Sequence, residues 1–311
     1  MDSALLLTRG NPAGFTANLG RLHPARGFYT GVTTGSKDNP PLIGQVIYRL
    51  GNRSARLSFI APNAICDSPD LPGLLEGLAW HAGEWGAFHV LGELEEICPA
   101  FDSMRRAGFS VYAWQRVWQL PFQAASSKTN GQPRLPAPYR PGSDGGSPHE
   151  AVWQPVREED DWAVRNLFQN LVPPLAQSAE PLSVRRQRGL IYRQGSEIMA
   201  YVEGVFGPRG IYLYPLIHPD IEDVGSLISA LPPSLAPLLG RPVYMAVRSY
   251  QAWMETTLTE LGARSTPRQA LMVKHMTQAQ RVPLSARLVQ IEGRQIEPAK
   301  TVAQNSIHSS Q

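Results

Sequence analysis

Glu93 and Glu95 close an apolar run, Phe88–Leu94, that reads as a β-strand. A carboxylate at a strand end is either a proton acceptor over a cleft or a solvated edge residue. Arg248 and Ser249 hold the comparable place after a second run, Val243–Arg248. Tyr212 and Tyr214 alternate along a third strand, so one face carries two phenols, as a pocket wall or as packing. Cys98, before Pro99 at a predicted helix start, has no histidine close in sequence to act as its base and reads as a structural thiol. His23, His81 and His89 lack a second ligand at metal spacing, so no metal is expected. No G-x-S-x-G elbow, P-loop or G-x-G-x-x-G occurs. Gly204, Gly207 and Gly210 read as a hairpin turn between two strands.

These residues sit on a chain that repeats itself. Phe88–Leu120 has a weak copy at Pro242–Lys274, and a constant shift of 154 positions pairs Gly86 with Gly240, Met104 with Leu258, Gly108 with Gly262 and Gln115 with Gln269. The same shift lays Leu57–Ala61 on Ile211–Pro215. Two copies of one fold explain this better than one large domain. In the first, Leu42–Leu50 and Arg56–Ala61 read as strands around Gly51-Asn52. Leu71–Trp85 follows as a helix, with Leu71, Leu74, Leu75 and Leu78 at helical spacing and Gly86 as its stop. Strand Phe88–Leu94, helix Pro99–Ala107 and strand Ser110–Leu120 complete the unit. The second copy predicts strand Ala151–Val156, helix Glu158–Asn170, and strands Leu190–Arg193, Ile198–Val205 and Gly210–Ile217. A helix over Gly225–Leu239 must split at Pro232-Pro233. Val243–Arg248, Ala252–Leu261 and Gln269–His275 then repeat the strand, helix, strand ending. The fold class is α/β (α+β type), with mixed, mostly antiparallel sheets flanked by helices.

Composition bounds what such a chain does. At 42% hydrophobic and 18% charged residues it is globular. No stretch approaches the roughly 18–20 apolar residues of a membrane helix, and Asp2 with the short run Ala4–Leu7 is not a signal peptide. The cysteines, Cys66 and Cys98, form no CxxC pair, so a cytoplasmic protein with reduced thiols is expected. A net charge of +3, part of it in the tail, leaves no basic face with stacking aromatics, which excludes a nucleic-acid partner. Pro121–Glu150 is rich in Pro, Gly and Ser and reads as a flexible linker. The expected organisation is therefore a domain over 1–120, a linker over 121–150, a domain over 151–277 and a disordered tail over 278–311. The two domains are expected to pack on each other, since exposed sheet edges would otherwise invite aggregation.

The order of elements, with a helix ending in Gly-Phe before the last strand, resembles the GNAT acyltransferase superfamily. The likeness is carried by Pro99-Ala-Phe-Asp-Ser-Met-Arg-Arg-Ala-Gly-Phe109 after strand Phe88–Leu94, by Gln251–Gly262 after Val243–Arg248, and by His218-Pro219 after the central strand. It covers most of both copies, the first being abbreviated at its N-terminus. The resemblance implies that central strands splay apart and that acetyl-CoA or another acyl-CoA enters the opening as co-substrate, its pyrophosphate on a loop before a helix. It places that ligand at Ile60, Ala61 and Asn63 in the first copy and at Tyr214, Ile217, Gly225 and Ser226 in the second. Such an enzyme needs a general base for its small-molecule amine, and Glu93 or Glu95 at the strand end stands where one is expected. This chain departs from the family pattern in two places. The phosphate loops, Pro62–Pro72 and Pro219–Ser226, lack the Q/R-x-x-G-x-G/A signature and carry Asp67, Asp70, Asp220, Glu222 and Asp223. The positions of the family's acid tyrosine are Met104 and Leu258, which donate no proton. The expected function is acyl-CoA-dependent N-acylation with degenerate CoA loops; the alternative is a pseudoenzyme of the same fold that binds a small molecule or CoA ester as a sensor, or serves as a protein scaffold.

Overall fold

The structure, a computed structural model, describes residues 2–10, 26–35, 40–63, 66–121, 153–182, 189–235 and 241–276. Nearly all of the expected linker and the whole expected tail lie outside the described residues, as does His23.

The first half contributes helix α1 (Ser3–Arg9), strands β1 (Arg26–Val32), β2 (Ile43–Arg49) and β3 (Ser54–Ala61), helix α2 (Leu71–Glu84), strand β4 (His89–Glu95), helix α3 (Ala100–Arg106) and strand β5 (Ser110–Gln119). The second contributes β6 (Gln154–Pro155), α4 (Asp161–Leu171), α5 (Pro174–Ala179), β7 (Gly189–Gln194), β8 (Glu197–Phe206), β9 (Ile211–Ile217), α6 (Val224–Ser229), α7 (Leu231–Ser234), β10 (Val243–Arg248), α8 (Met254–Glu260), β11 (Arg264–Ser265) and β12 (Gln269–His275). Helices α3 and α8 are related by the sequence repeat residue for residue. Leu71, Leu74, Leu75 and Leu78 are all buried on α2, each contributing about 1.5–3 kcal/mol by leaving water. Gly86 follows that helix at φ +94°, a conformation that costs glycine nothing. The predicted long helix breaks at Ala230, two residues before its prolines.

The halves do not build separate sheets. One twelve-stranded sheet runs β1-β2-β3-β4-β12-β5-β10-β9-β8-β7-β6, with β11 pairing beside β5. The last strand of each half has crossed into the other: β12 fills the gap between β4 and β5, while β5 pairs with β10. Along β5 and β12, Gln115 lies opposite Gln269. They are equivalents in the repeat, so an approximate two-fold axis passes between them. Among the described strands only β3 with β4 and β9 with β10 are parallel. The mixed, mostly antiparallel sheet flanked by helices is the fold class read from the sequence.

One detail of the repeat shifts. Ser54 pairs with His89 and Ile211 with Val243, so the central strands correspond three residues away from the ungapped sequence match of Leu57 with Ile211. The loops before β4 and β10 differ in length, and pairing with the next strand, not apolar pattern, sets the register.

Co-expressed fragments 1–150 and 151–311 are expected to purify as a 1:1 complex, because neither completes its sheet without the other's last strand. Two fragments that each purify as folded monomers contradict the exchange.

Candidate functional site

Each parallel pair is short. Strands β3 and β4 pair only over Ser54–Arg56 and His89–Leu91, and β9 and β10 only over Ile211–Leu213 and Val243–Met245. Beyond those points the strands part. Arg56, the last paired residue of β3, and Glu93, two past the last on β4, mark the first divergence. Tyr214 on β9 and Arg248 on β10 mark the second. Because the last strands are exchanged across the two-fold axis, both divergences open onto the same sheet face. Strand β5 adds Tyr112, which a register shift leaves out of the ladder between Val111 and Ala113. Glu180, immediately after α5, descends between the two halves.

Glu180 joins them. Its Oε1 accepts from Arg56 Nη2, and its Oε2 lies 2.9 Å from Arg248 Nη2. Arg56 Nη1 is 3.5 Å from Glu93 Oε1. Gln115 Nε2 donates to Gln269 Oε1 at 2.8 Å and to Glu93 Oε2 at 3.4 Å. Burial alone would raise the Glu180 carboxyl, but Arg248 and Arg56 outweigh it and hold the group at about 2. Burial and the nearby Asp2 push the Glu93 carboxyl up, against Arg56. Burial likewise raises the phenols of Tyr112 and Tyr214. Two carboxylates on one face are thus driven in opposite directions by their surroundings. The face can hold charge, accept a proton at Glu93 and donate hydrogen bonds from its arginines.

Helix α1 covers the middle of this face, packing Ala4 among Val117, Tyr212 and Ala246. Its far end docks on the turn after β8: Arg209 N–H donates to Thr8 O at 2.9 Å, and a Cβ on Gly207 would lie 2.1 Å from that oxygen. The expected hairpin turn is there, and its glycine is required by the helix above it. At its near end the chain bridges the first divergence. Asp2 N–H donates to the carbonyl of Ser58, the residue that β3 bulges out of its ladder, and Ser3 N–H donates to Glu93 Oε2 at 3.0 Å. The second divergence is bridged by Gln251, 1% exposed, whose Nε2 donates to Ile217 O at 3.2 Å. Pro215, in the diverging part of β9, has no N–H to offer.

The helix starts are partly occupied. Asp223 Oδ1 accepts from Ser226 N–H at 2.9 Å, and Leu227 N–H donates to Asp223 O. At α2, Leu71 N–H donates to Ser68 O, Leu74 N–H donates to Asp70 O, and Pro72 has none. Of the residues singled out in the sequence, the structure brings Glu93, Tyr214 and Arg248 into one cluster. Glu95 is exposed at the strand end. Ile60 packs against the first-half core, Ala61 is half-buried, and Asn63 is exposed. Ile217 is fully buried, while Gly225 and Ser226 lie in the first turn of α6. Met104 packs against Gly92 and Leu57, and Leu258 is buried in the second-half core. His89 meets His275 at 3.0 Å on the surface. Among the described residues no group of three His, Cys, Asp or Glu could hold a metal ion. No helix there is long and apolar enough to cross a membrane.

Each half therefore presents a central parallel pair that parts after three residues, then a helix, a positive-φ glycine and a closing strand. The fold is GNAT-like. No family model and no curated protein matches the chain. Among solved structures it is similar to a tandem GNAT protein from the clavulanic acid biosynthesis pathway, at 14% identity and TM-score 0.43 over 82% of this chain and 85% of that one. It is similar too to a GCN5-related N-acetyltransferase from Kribbella flavida, at 12% identity and TM-score 0.46 over 84% and 94%. A third, from Sphaerobacter thermophilus, gives 14% identity and TM-score 0.43 over 78% and 79%.

Arg56, Tyr112 and Glu180 were not singled out in the sequence, and Gln115 stood out only as the repeat partner of Gln269. Arg56 gave a signal, being a charge inside the alternating strand Ser54–Ala61. Glu180 gave none, since its partners lie far along the chain.

The depressed Glu180 carboxyl fixes a pH dependence. Its ordinary value is 4.5, so its contribution is complete above that pH and is lost as pH falls towards 2. Urea unfolding should show Glu180→Gln destabilised by about 3 kcal/mol at pH 7, with the gap to the parent closing between pH 4.5 and 2. A gap independent of pH contradicts the buried ion pairs.

Proposed function

We propose that this chain is a GNAT-like protein that binds a small molecule on the shared face and does not use acyl-CoA. The observation that carries this reading is that its own groups bridge both openings, Asp2 and Ser3 across the first and Gln251 across the second. An acyl-CoA threaded through either opening must break those hydrogen bonds, and breaking one that is buried costs about 1–3 kcal/mol. The phosphate loops add to the case. A pyrophosphate needs several free N–H groups, and here the Asp223 side chain takes that of Ser226, Ser68 O takes that of Leu71, and Pro72 has none. The side chains of Asp220, Glu222, Asp67 and Asp70 repel the same anion. The residues present do not fit the pyrophosphate of acyl-CoA.

The shared face offers what the openings lack. It joins Arg56, Arg248, Glu180, Glu93 and three tyrosines, Tyr112, Tyr214 and Tyr250, at a junction that keeps Arg56 and Glu180 partly exposed. Glu93 is the one feature that favours acyl transfer: it holds an N–H, as a general base must, and its carboxyl is pushed up. That reading requires the Asp2–Ser3 segment to withdraw.

Calorimetric titration with acetyl-CoA tests the proposal. No saturable heat is expected from the folded chain up to millimolar ester. Micromolar binding overturns the proposal and returns Glu93 to the role of general base.

A further inference from the structure

We infer that the ligand of the shared face is a small carboxylate-bearing molecule held by the free edge of the Arg248 guanidinium. The inference rests on the reading that this face, and not either opening, is the binding site. Arg248 is 6% exposed. Its Nη2 is paired with Glu180 Oε2, but its Nη1 is buried with no hydrogen-bond partner among the described residues. A planar cation with unfilled donors away from water is costly, and most buried polar atoms find a partner. Glu180 cannot supply that partner, since its oxygens are already divided between Arg56 and Arg248.

The surroundings say what fits. The Tyr214 ring lies 5.9 Å below the Arg248 guanidinium carbon, and Tyr112 and Tyr250 flank the Glu180 side. Tyrosine rings give an apolar wall against which a short carbon chain packs. An acceptor that takes two parallel N–H bonds suits a guanidinium edge, and a carboxylate is the common group with that shape. Gln115 Oε1, buried nearby with no hydrogen-bond partner among the described residues, adds an acceptor for a donor elsewhere on the ligand. Arg56 already faces two carboxylates, Glu180 and Glu93, whereas Arg248 is paired with Glu180 alone, so the anion belongs at Arg248, near the tyrosines, with any donor group directed towards Gln115. A ligand carrying both an acid and a hydrogen-bond donor therefore satisfies both unpaired atoms.

Thermal unfolding of the full chain tests this with acetate, glycolate and benzoate, against acetamide and against sodium chloride at matched ionic strength. At least one carboxylate should raise Tm saturably, while acetamide and chloride should not. Arg248→Lys keeps a charge for Glu180 but removes the planar edge. It should weaken the carboxylate response at least tenfold, and Tyr214→Leu should weaken it more for benzoate than for acetate. Overturning results are an equal response to acetamide or chloride, a response that persists in both variants, or none from any carboxylate at 50 mM. Failure here with acetyl-CoA still silent removes the carboxylate and leaves the binding reading standing. Saturable acetyl-CoA binding removes that reading whatever the carboxylates do.

Discussion

The structure depends on the pairing of β5 with β12. In this ladder two halves of one chain meet through equivalent residues, Gln115 opposite Gln269, and each half gives up its last strand to do so. Without the exchange, β5 would pair with β4 and β12 with β10, and β5 and β12 would each end as an open edge, the arrangement that invites aggregation. With it, the sheet is continuous over its centre and both divergent strand pairs face one region. A site made by residues from both halves is the geometric result. Glu180 then acts as the electrostatic joint, taking one arginine from each half.

A buried joint of this kind is not a cheap source of stability. Desolvating two arginines and two carboxylates cancels much of their attraction, and a well-packed apolar substitute is often as stable. What ion pairs across a junction do supply is register, because a slip of one residue along β3 or β10 leaves a charge buried alone. The opposite shifts of Glu93 and Glu180 follow from position. Glu180 lies between two arginines, while Glu93 sees one at 3.5 Å and an acidic neighbour in Asp2.

Much of the fold was legible in the sequence where the signal is local. Helix spacing at Leu71, Leu74, Leu75 and Leu78, the stops at Gly86, Gly108 and Gly262, and the Pro232-Pro233 break all act through the residue's own backbone or the next turn. Strand β1 was missed because Gly27 and Gly31 dilute its pattern, and those glycines exist because Trp85 and Leu74 leave no room for a side chain. Helix α1 is too short for periodicity to speak, and its covering role depends on a turn some two hundred residues away. The exchange of last strands was invisible for a related reason. Strands β5 and β12 carry the same pattern whether they pair within their own half or across. At the site, Glu93, Arg248 and Tyr214 are marked by strand ends and alternation, whereas Arg56 and Glu180, which complete it, are brought together only by tertiary structure.

Helix α1 and the exchanged strands form one cooperative unit that closes the first opening. Hydrogen exchange on the intact chain reads it most directly. The amides of Ser3 and Leu5 to Arg9 are expected to exchange as slowly as those of β4, β5 and β12, all opening together. Rapid exchange over residues 3–9 while the sheet stays protected would contradict it, since the segment would then leave the first opening on its own.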